Sequence, residues 1–99
     1  MGLSSEIRRL AILGSTGSIG TQALDVAARH AARFQVVALT ARGSAEALFA
    51  QVRRFRPLLA GLADERFTMA DVPADLRFCR WVFGPDALTQ AASLPELLR

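Results

Sequence analysis

The sequence predicts an α/β fold in which helices flank a parallel sheet. Three observations carry that prediction. Short apolar runs without polar alternation recur at residues 10–13 and 35–39, as strands covered on both faces require. The stretches that follow them repeat apolar residues at helical spacing. The joints are short and marked by Gly, Pro and Ser, so strand passes to helix and back to strand through right-handed crossovers.

Residues 1–7 are a lead without pattern. After Arg8 and Arg9, the residues Leu10, Ala11, Ile12 and Leu13 form the first strand, which breaks at Gly14, Gly17 and Gly20. From Ser18 the chain reads as a helix, with Ile19, Ala23, Val26 and Ala27 on one face and Gln22, Asp25 and Arg29 on the other. His30 falls near the C-terminal end of that helix, where a cation is favourable, and reads as a cap or surface group. Residues 35–39 are the second strand. Ser44 is expected to cap the next helix, with Glu46 in its first turn. Leu48, Val52 and Phe55 line the buried face of that helix beside Phe49, arginines lie opposite, and Pro57 ends it. Residues 58–63 read as a third strand, interrupted by Gly61 and closed by Asp64. Beyond this βαβαβ unit the signal weakens. Residues 64–77 suggest a loop or short irregular helix, and residues 78–83 a fourth strand whose Trp81 and Phe83 belong to the core. Gly84-Pro85-Asp86 is a turn, and Asp86 is expected to cap a short helix through Ala87, Leu88, Ala91 and Ala92.

Ninety-nine residues, about half of them apolar, suffice for one small domain that folds with little margin. The net charge is +3, and every basic residue is arginine. These arginines are scattered, whereas nucleic-acid binding clusters its cations on one face, so no nucleic-acid partner is expected. The single cysteine, Cys79, excludes an internal disulfide and a structural zinc site, and reads as a small buried apolar residue. No apolar run approaches a membrane span and the N-terminus has no apolar signal region, so no membrane partner and a cytoplasmic location are expected. The Met1-Gly2 opening lacks the Ser or Thr that myristoylation needs where Glu6 stands. Asp64, Glu65, Asp71 and Asp75 sit in a polar stretch without metal-ligand spacing. No catalytic residue and no metal ligand is assigned.

The glycine turn carries the chemistry. Its spacing, Gly-x-x-Gly-x-x-Gly, is a variant of the dinucleotide fingerprint with the middle glycine moved by one, and it sits between an apolar strand and an amphipathic helix as that fingerprint demands. The amides of Thr16, Gly17, Ser18 and Ile19 are expected to stand free at a helix N-terminus, where unpaired N–H groups and the helix dipole favour a phosphate. The hydroxyls of Ser15, Thr16 and Ser18 are expected to add donors. The end of the second strand chooses between cofactors: an acid there would accept from a ribose 2′-hydroxyl, whereas Thr40-Ala41-Arg42-Gly43-Ser44 has none. Arg42, with Gly43 and Ser44 beside it, suits a 2′-phosphate and hence NADPH.

The run L-A-I-L-G-S-T-G-S-I-G-T-Q-A-L-D-V from Leu10 to Val26, with F-Q-V-V-A-L-T-A from Phe34 to Ala41, resembles the start of the 1-deoxy-D-xylulose 5-phosphate reductoisomerases. F-R-P at Phe55 to Pro57, G-P-D-A-L at Gly84 to Leu88 and A-S-L-P-E at Ala92 to Glu96 fit the same family, so the resemblance covers nearly the whole chain. It implies a Rossmann-like sheet that is about half of a dinucleotide-binding domain, with residues 1–99 forming the NADPH-binding part. It further implies an enzyme of non-mevalonate isoprenoid biosynthesis, which rearranges 1-deoxy-D-xylulose 5-phosphate and reduces the product with NADPH to 2-C-methyl-D-erythritol 4-phosphate. A divalent metal, Mg, Mn or Co, holds the substrate in such enzymes, and the complete protein is suggested to be a dimer. The family's cofactor contacts fall on Thr16, Gly17, Ser18 and Ile19, and on Arg42, Gly43 and Ser44.

Two departures stand out. After the second strand the family has glycine before its basic residue, whereas here Arg42 precedes Gly43, so the cation is displaced by one position. The family's metal ligands, substrate loop and C-terminal domain come after the last residue of this chain, as does a strand expected beside the first. The chain alone is therefore expected to be inactive, and the bare first strand is expected to invite self-association. Alternative readings are a non-catalytic nucleotide-binding module and part of another NADP-dependent oxidoreductase, such as an aspartate-semialdehyde dehydrogenase.

Overall fold

The structure is a computed structural model that describes residues 6–98. The first five residues of the N-terminal lead, and Arg99, lie outside the described residues. In chain order the elements are β1 (Arg8–Ile12), α1 (Ser18–Arg29), β2 (Phe34–Ala41), α2 (Ala45–Phe55), β3 (Leu59–Leu62), β4 (Arg80–Phe83) and α3 (Asp86–Leu97). Two single 3₁₀ turns, Met69–Asp71 and Ala74–Leu76, fill the weakly patterned stretch before β4. The strands form one wholly parallel sheet in the order β1-β2-β3-β4. The α/β expectation and the crossover order hold.

The two faces of the sheet are built differently. Leu10, Ile12, Val36, Leu39, Ala41, Ala60, Leu62, Trp81 and Phe83 point to one side and pack with Leu24 and Ala27 of α1 and Leu48, Phe49 and Val52 of α2. Val72, Leu76 and Cys79 close that core at its far end. Complete burial of leucines such as Leu39, Leu48, Leu62 and Leu76 contributes about 1.5–3 kcal/mol each. The opposite face mixes small and larger apolar residues: Ala11, Ala38, Leu59, Gly61 and Val82 lie under α3, which presents Ala87, Ala91 and Leu94. Because α1 and α2 share a face while α3 crosses all four strands on the other, the chain reverses direction after β4. The turn after β1 lies at the carboxyl end of this parallel sheet, the end at which ligands of open α/β sheets bind.

Pairing sets details that periodicity missed. Leu10 pairs with Val36 but Ala11 with Ala38, so Val37 is an extra residue in β2, a bulge that is rare between parallel strands. It keeps Val36 and Leu39 on the α1/α2 face and turns Ala38 toward α3. β1 starts at Arg8, which donates to the Arg33 carbonyl at 2.7 Å, two residues before the expected start, and Leu13 belongs to the turn. As expected, β1 is an edge strand.

α1 is rolled by one residue relative to the expected face. Its buried residues are Gly20, Leu24 and Ala27, while Ile19 is 82% and Val26 44% exposed. The cause is Gly20, whose missing side chain lets the first turn of the helix press on the backbone of Gly14 and Ser15. α2 buries Leu48, Phe49 and Val52 as expected, leaves Phe55 half-buried against the core, and ends at Arg56 in a left-handed conformation, φ 48°, just before Pro57. Ser44 occupies the N-cap position but makes no side-chain cap bond. Asp86 is likewise the first helical residue, not a cap; Pro85 precedes it, and α3 continues through Pro95 to Leu97. A proline there removes one N–H from the last turn without breaking it. β4 begins at Arg80, because Phe78 lies at the surface beneath the Arg56 guanidinium, 3.9 Å from its ring centre.

The remaining single residues behave as read. His30 caps α1 through its backbone and meets Phe34 edge to face. Trp81 stacks on Phe83 at 6.3 Å and donates to the Leu76 carbonyl at 2.9 Å. Cys79 is buried, and that burial pushes its thiol up to about 11.

Candidate dinucleotide-binding turn

The strand-to-helix turn is fixed by bonds to two other elements. Gly14 adopts φ +68°, a conformation open to glycine at no steric cost. Its N–H donates to Thr40 Oγ1 at 3.2 Å, and the N–H of Ser15 donates to the Thr40 carbonyl at 2.7 Å. Ser15 itself is fully buried. Its hydroxyl donates to Gln51 Oε1 at 2.6 Å, and its carbonyl accepts from Gln51 Nε2 at 2.8 Å. Ser15 therefore has no hydroxyl left for a ligand, contrary to the sequence expectation.

The predicted donor set is also smaller by one. The Gly17 N–H donates to the Gly14 carbonyl at 3.1 Å and closes the turn, so Gly17 contributes shape and not a free amide. The first α-helical bond runs from the Thr21 N–H to the Gly17 carbonyl at 2.9 Å. Ser18, Ile19 and Gly20 precede it, so their N–H groups have no partner within the helix. No acidic residue stands in that first turn to occupy its positive end. Thr16 is half-buried, whereas Gly17, Ser18 and Ile19 are exposed along the rim of an open cleft of about 540 Å³. Ile12, Leu13, Gly14, Gly20 and Ala23 complete its lining, which contains no titratable side chain.

The second predicted group begins two residues beyond Thr40. Arg42, Gly43 and Ser44 are all exposed between β2 and α2. The carbonyl of Arg42 accepts from the Asp64 N–H at 2.9 Å, which ties this loop to the end of β3. The position a side chain would take at Gly43 lies 3.9 Å from Asp64 Oδ2, so a carboxylate borders the loop that lacks one in sequence. That charge is met by Arg66, whose guanidinium reaches Asp64 at 2.7 Å. Hydrogen bonds from the Arg66 side chain and backbone hold the Asp64 carboxyl down to about 2, and Arg42 adds at longer range.

Sequence reasoning placed the two glycine-flanked loops and missed what joins them. Thr40 and Gln51 were not singled out, and neither was Arg66. A legible signal existed for Gln51, an uncharged polar residue bordering the stripe formed by Leu48 and Val52. Two of the other acids are engaged structurally: Asp75 pairs with Arg53 at 2.9 Å, and Asp71 accepts from the Thr68 N–H at 2.8 Å. Among the described residues no group of three or more His, Cys, Asp or Glu side chains could hold a metal ion. None of the described helices is long and apolar enough to cross a membrane.

Known proteins share this fold. The 1-deoxy-D-xylulose 5-phosphate reductoisomerase family matches residues 10–98. The reductoisomerase of Nitrosospira multiformis is 45% identical over 94 residues, covering 92% of this chain and 24% of the relative. That of Moorella thermoacetica is 47% identical over 89 residues, covering 88% of this chain and 23% of the relative. Among solved structures, the Zymomonas mobilis reductoisomerase in complex with NADPH superposes with a TM-score of 0.73 at 33% identity, covering 86% of this chain and 23% of that one. A reductoisomerase in complex with magnesium gives 0.73 at 28% identity, covering 88% and 22%. The chain thus spans about a quarter of the length of the curated relatives it matches. A match of this extent separates it from other NADP-dependent oxidoreductases that share a glycine turn, and the chain belongs to the 1-deoxy-D-xylulose 5-phosphate reductoisomerase family.

Proposed function

We propose that this chain is the NADPH-binding part of a reductoisomerase that converts 1-deoxy-D-xylulose 5-phosphate to 2-C-methyl-D-erythritol 4-phosphate. The observation that carries the reading is the first turn of α1, with unpartnered N–H groups, no acid, and a glycine-walled cleft at the carboxyl end of β1. The residues fit the cofactor. The amides of Thr16, Ser18 and Ile19 face the pyrophosphate, Gly17 lets it approach, and Ile19 and Leu13 offer apolar contact beside it. Arg42, with Gly43 and Ser44, takes the 2′-phosphate. Arg66 neutralises Asp64, so the neighbouring carboxylate does not repel that phosphate.

When bound, NADPH supplies a hydride to the rearranged substrate. This chain's residues bind and orient the cofactor and supply no acid, base or metal ligand to the step, because the cleft lining has no titratable group. The divalent metal, the sugar-phosphate site and catalysis belong to the longer protein, a cytoplasmic dimer in this reading, and the 99-residue chain alone turns nothing over.

Calorimetric titration of the purified chain with NADPH and NADH, beside Gly17→Val, tests the reading. Gly17 is extended, φ −77° and ψ 173°, and a Cβ at this position would have only the Gly14 carbonyl near it, at 3.5 Å, so the variant is designed to crowd the phosphate, and circular dichroism of Gly17→Val checks that its fold is retained. Saturable NADPH binding that exceeds NADH binding and is lost in Gly17→Val is expected. Absence of binding by a folded wild type overturns the reading for this chain. Sugar-phosphate-dependent oxidation of NADPH by the chain overturns its assignment as binding part only.

A further inference from the structure

Ser15 is buried at the centre of the turn, and each of its polar groups has one partner. Its N–H goes to the Thr40 carbonyl, while its hydroxyl and carbonyl both go to Gln51. A peptide unit is planar and trans, so the N–H of one residue points opposite to the carbonyl of the residue before it. The Ser15 carbonyl is aimed at α2, because Gln51 Nε2 donates to it at 2.8 Å. The Thr16 N–H is therefore aimed away from α2. If that peptide rotated, the Thr16 N–H would turn inward and one donor would be lost from the turn.

We propose that Gln51 is a positioning residue of the cofactor site, which sets the Ser15–Thr16 peptide plane so that the Thr16 amide faces the phosphate. This rests on the reading of the turn as an NADPH site. Gln51 also fixes where the turn sits relative to the second loop. Seven residues separate it from Ser44 along α2, about 10 Å of helix rise, so one rigid helix sets the spacing between pyrophosphate and 2′-phosphate contacts. From the other side, Thr40 binds the turn and lies two residues before Arg42. Gln51 and Thr40 thus hold both loops in one register.

The experiment compares NADPH with adenosine 2′-monophosphate, which carries the 2′-phosphate and lacks the pyrophosphate, by calorimetry on the 99-residue chain. Gln51→Leu is expected to weaken NADPH about tenfold, the scale of a lost polar contact, and to leave adenosine 2′-monophosphate within about twofold. Gln51→Glu keeps an acceptor for the Ser15 hydroxyl and withdraws the donor from the Ser15 carbonyl. It gives the same selective loss, and it serves where the leucine variant does not fold. Ser15→Ala keeps the carbonyl contact and retains NADPH affinity within about threefold. Equal weakening of both ligands by the Gln51 variants shows a general loss of structure and overturns the proposal, as does unchanged NADPH affinity. A wild type that binds neither ligand overturns the cofactor reading itself, a result separate from failure of the Gln51 variants.

Discussion

Replacing Gly20 with alanine tests the packing on which the site depends. The new Cβ would lie 2.3 Å from the Gly14 carbonyl oxygen, 2.7 Å from Ser15 Cα and 2.9 Å from the Ser15 carbonyl carbon. Ordinary contact is longer than the shortest of these by roughly 1 Å. All three atoms are backbone, held by the bonds of Gly17, Thr40 and Gln51 to the turn, so they cannot swing aside as a side chain would. Overpacking of this kind costs about 1–3 kcal/mol, and each turn hydrogen bond broken to relieve it adds about 1 kcal/mol. Alanine returns up to about 1 kcal/mol in helix propensity. The net expectation is a loss of about 2–3 kcal/mol, a fall in melting temperature of roughly 10–20 °C for a domain of this size. Thermal unfolding followed by circular dichroism measures it, with Gly17→Ala as the control, since its Cβ meets nothing nearer than 3.5 Å and should melt close to wild type. A Gly20→Ala chain that melts within a few degrees of wild type would refute the close seating of α1 on the turn.

Three further outcomes are expected. Gly61→Ala places a Cβ 2.9 Å from that of Ala87, so it should lift α3 from the sheet and cost about 1–2 kcal/mol in chemical denaturation; Ala87→Gly should recover part of the loss. The Asp64 carboxyl is depressed in the folded state from its ordinary 3.8 to about 2, so its contribution to stability is complete above 3.8 and disappears as pH falls through about 2. Carboxyl NMR titration should show that midpoint, with Arg66→Ala returning it toward 3.8, and Asp64→Asn should flatten the acid limb of the stability curve. Cys79 should resist thiol reagents at pH 8 in the folded chain and react at once in denaturant, because it is buried and its thiol is pushed up to about 11; rapid modification of the native protein would contradict the packing of the far end of the core.

What the sequence determined by itself was local. Apolar runs without alternation identified β1 and β2, and the periodicity around Leu48 and Val52 identified α2, because burial is written into residue type wherever a strand or helix stripe meets one core. The glycine turn was legible for the same reason, since Gly14 at φ +68° is a demand of the backbone at that point. What only tertiary structure decided concerns contacts between elements distant in sequence. The roll of α1 that exposes Ile19 follows from Gly20 meeting Gly14 across the turn, and the bulge at Val37 follows from register against β1. Asp64 reaches the loop after β2 because β3 pairs beside it, so an acid absent from that loop's own sequence stands next to it in space. Gln51 reaches Ser15 across thirty-six positions. Hydrogen-bonding partners are chosen by proximity after packing, and periodicity records which face a residue takes without recording whom it meets there.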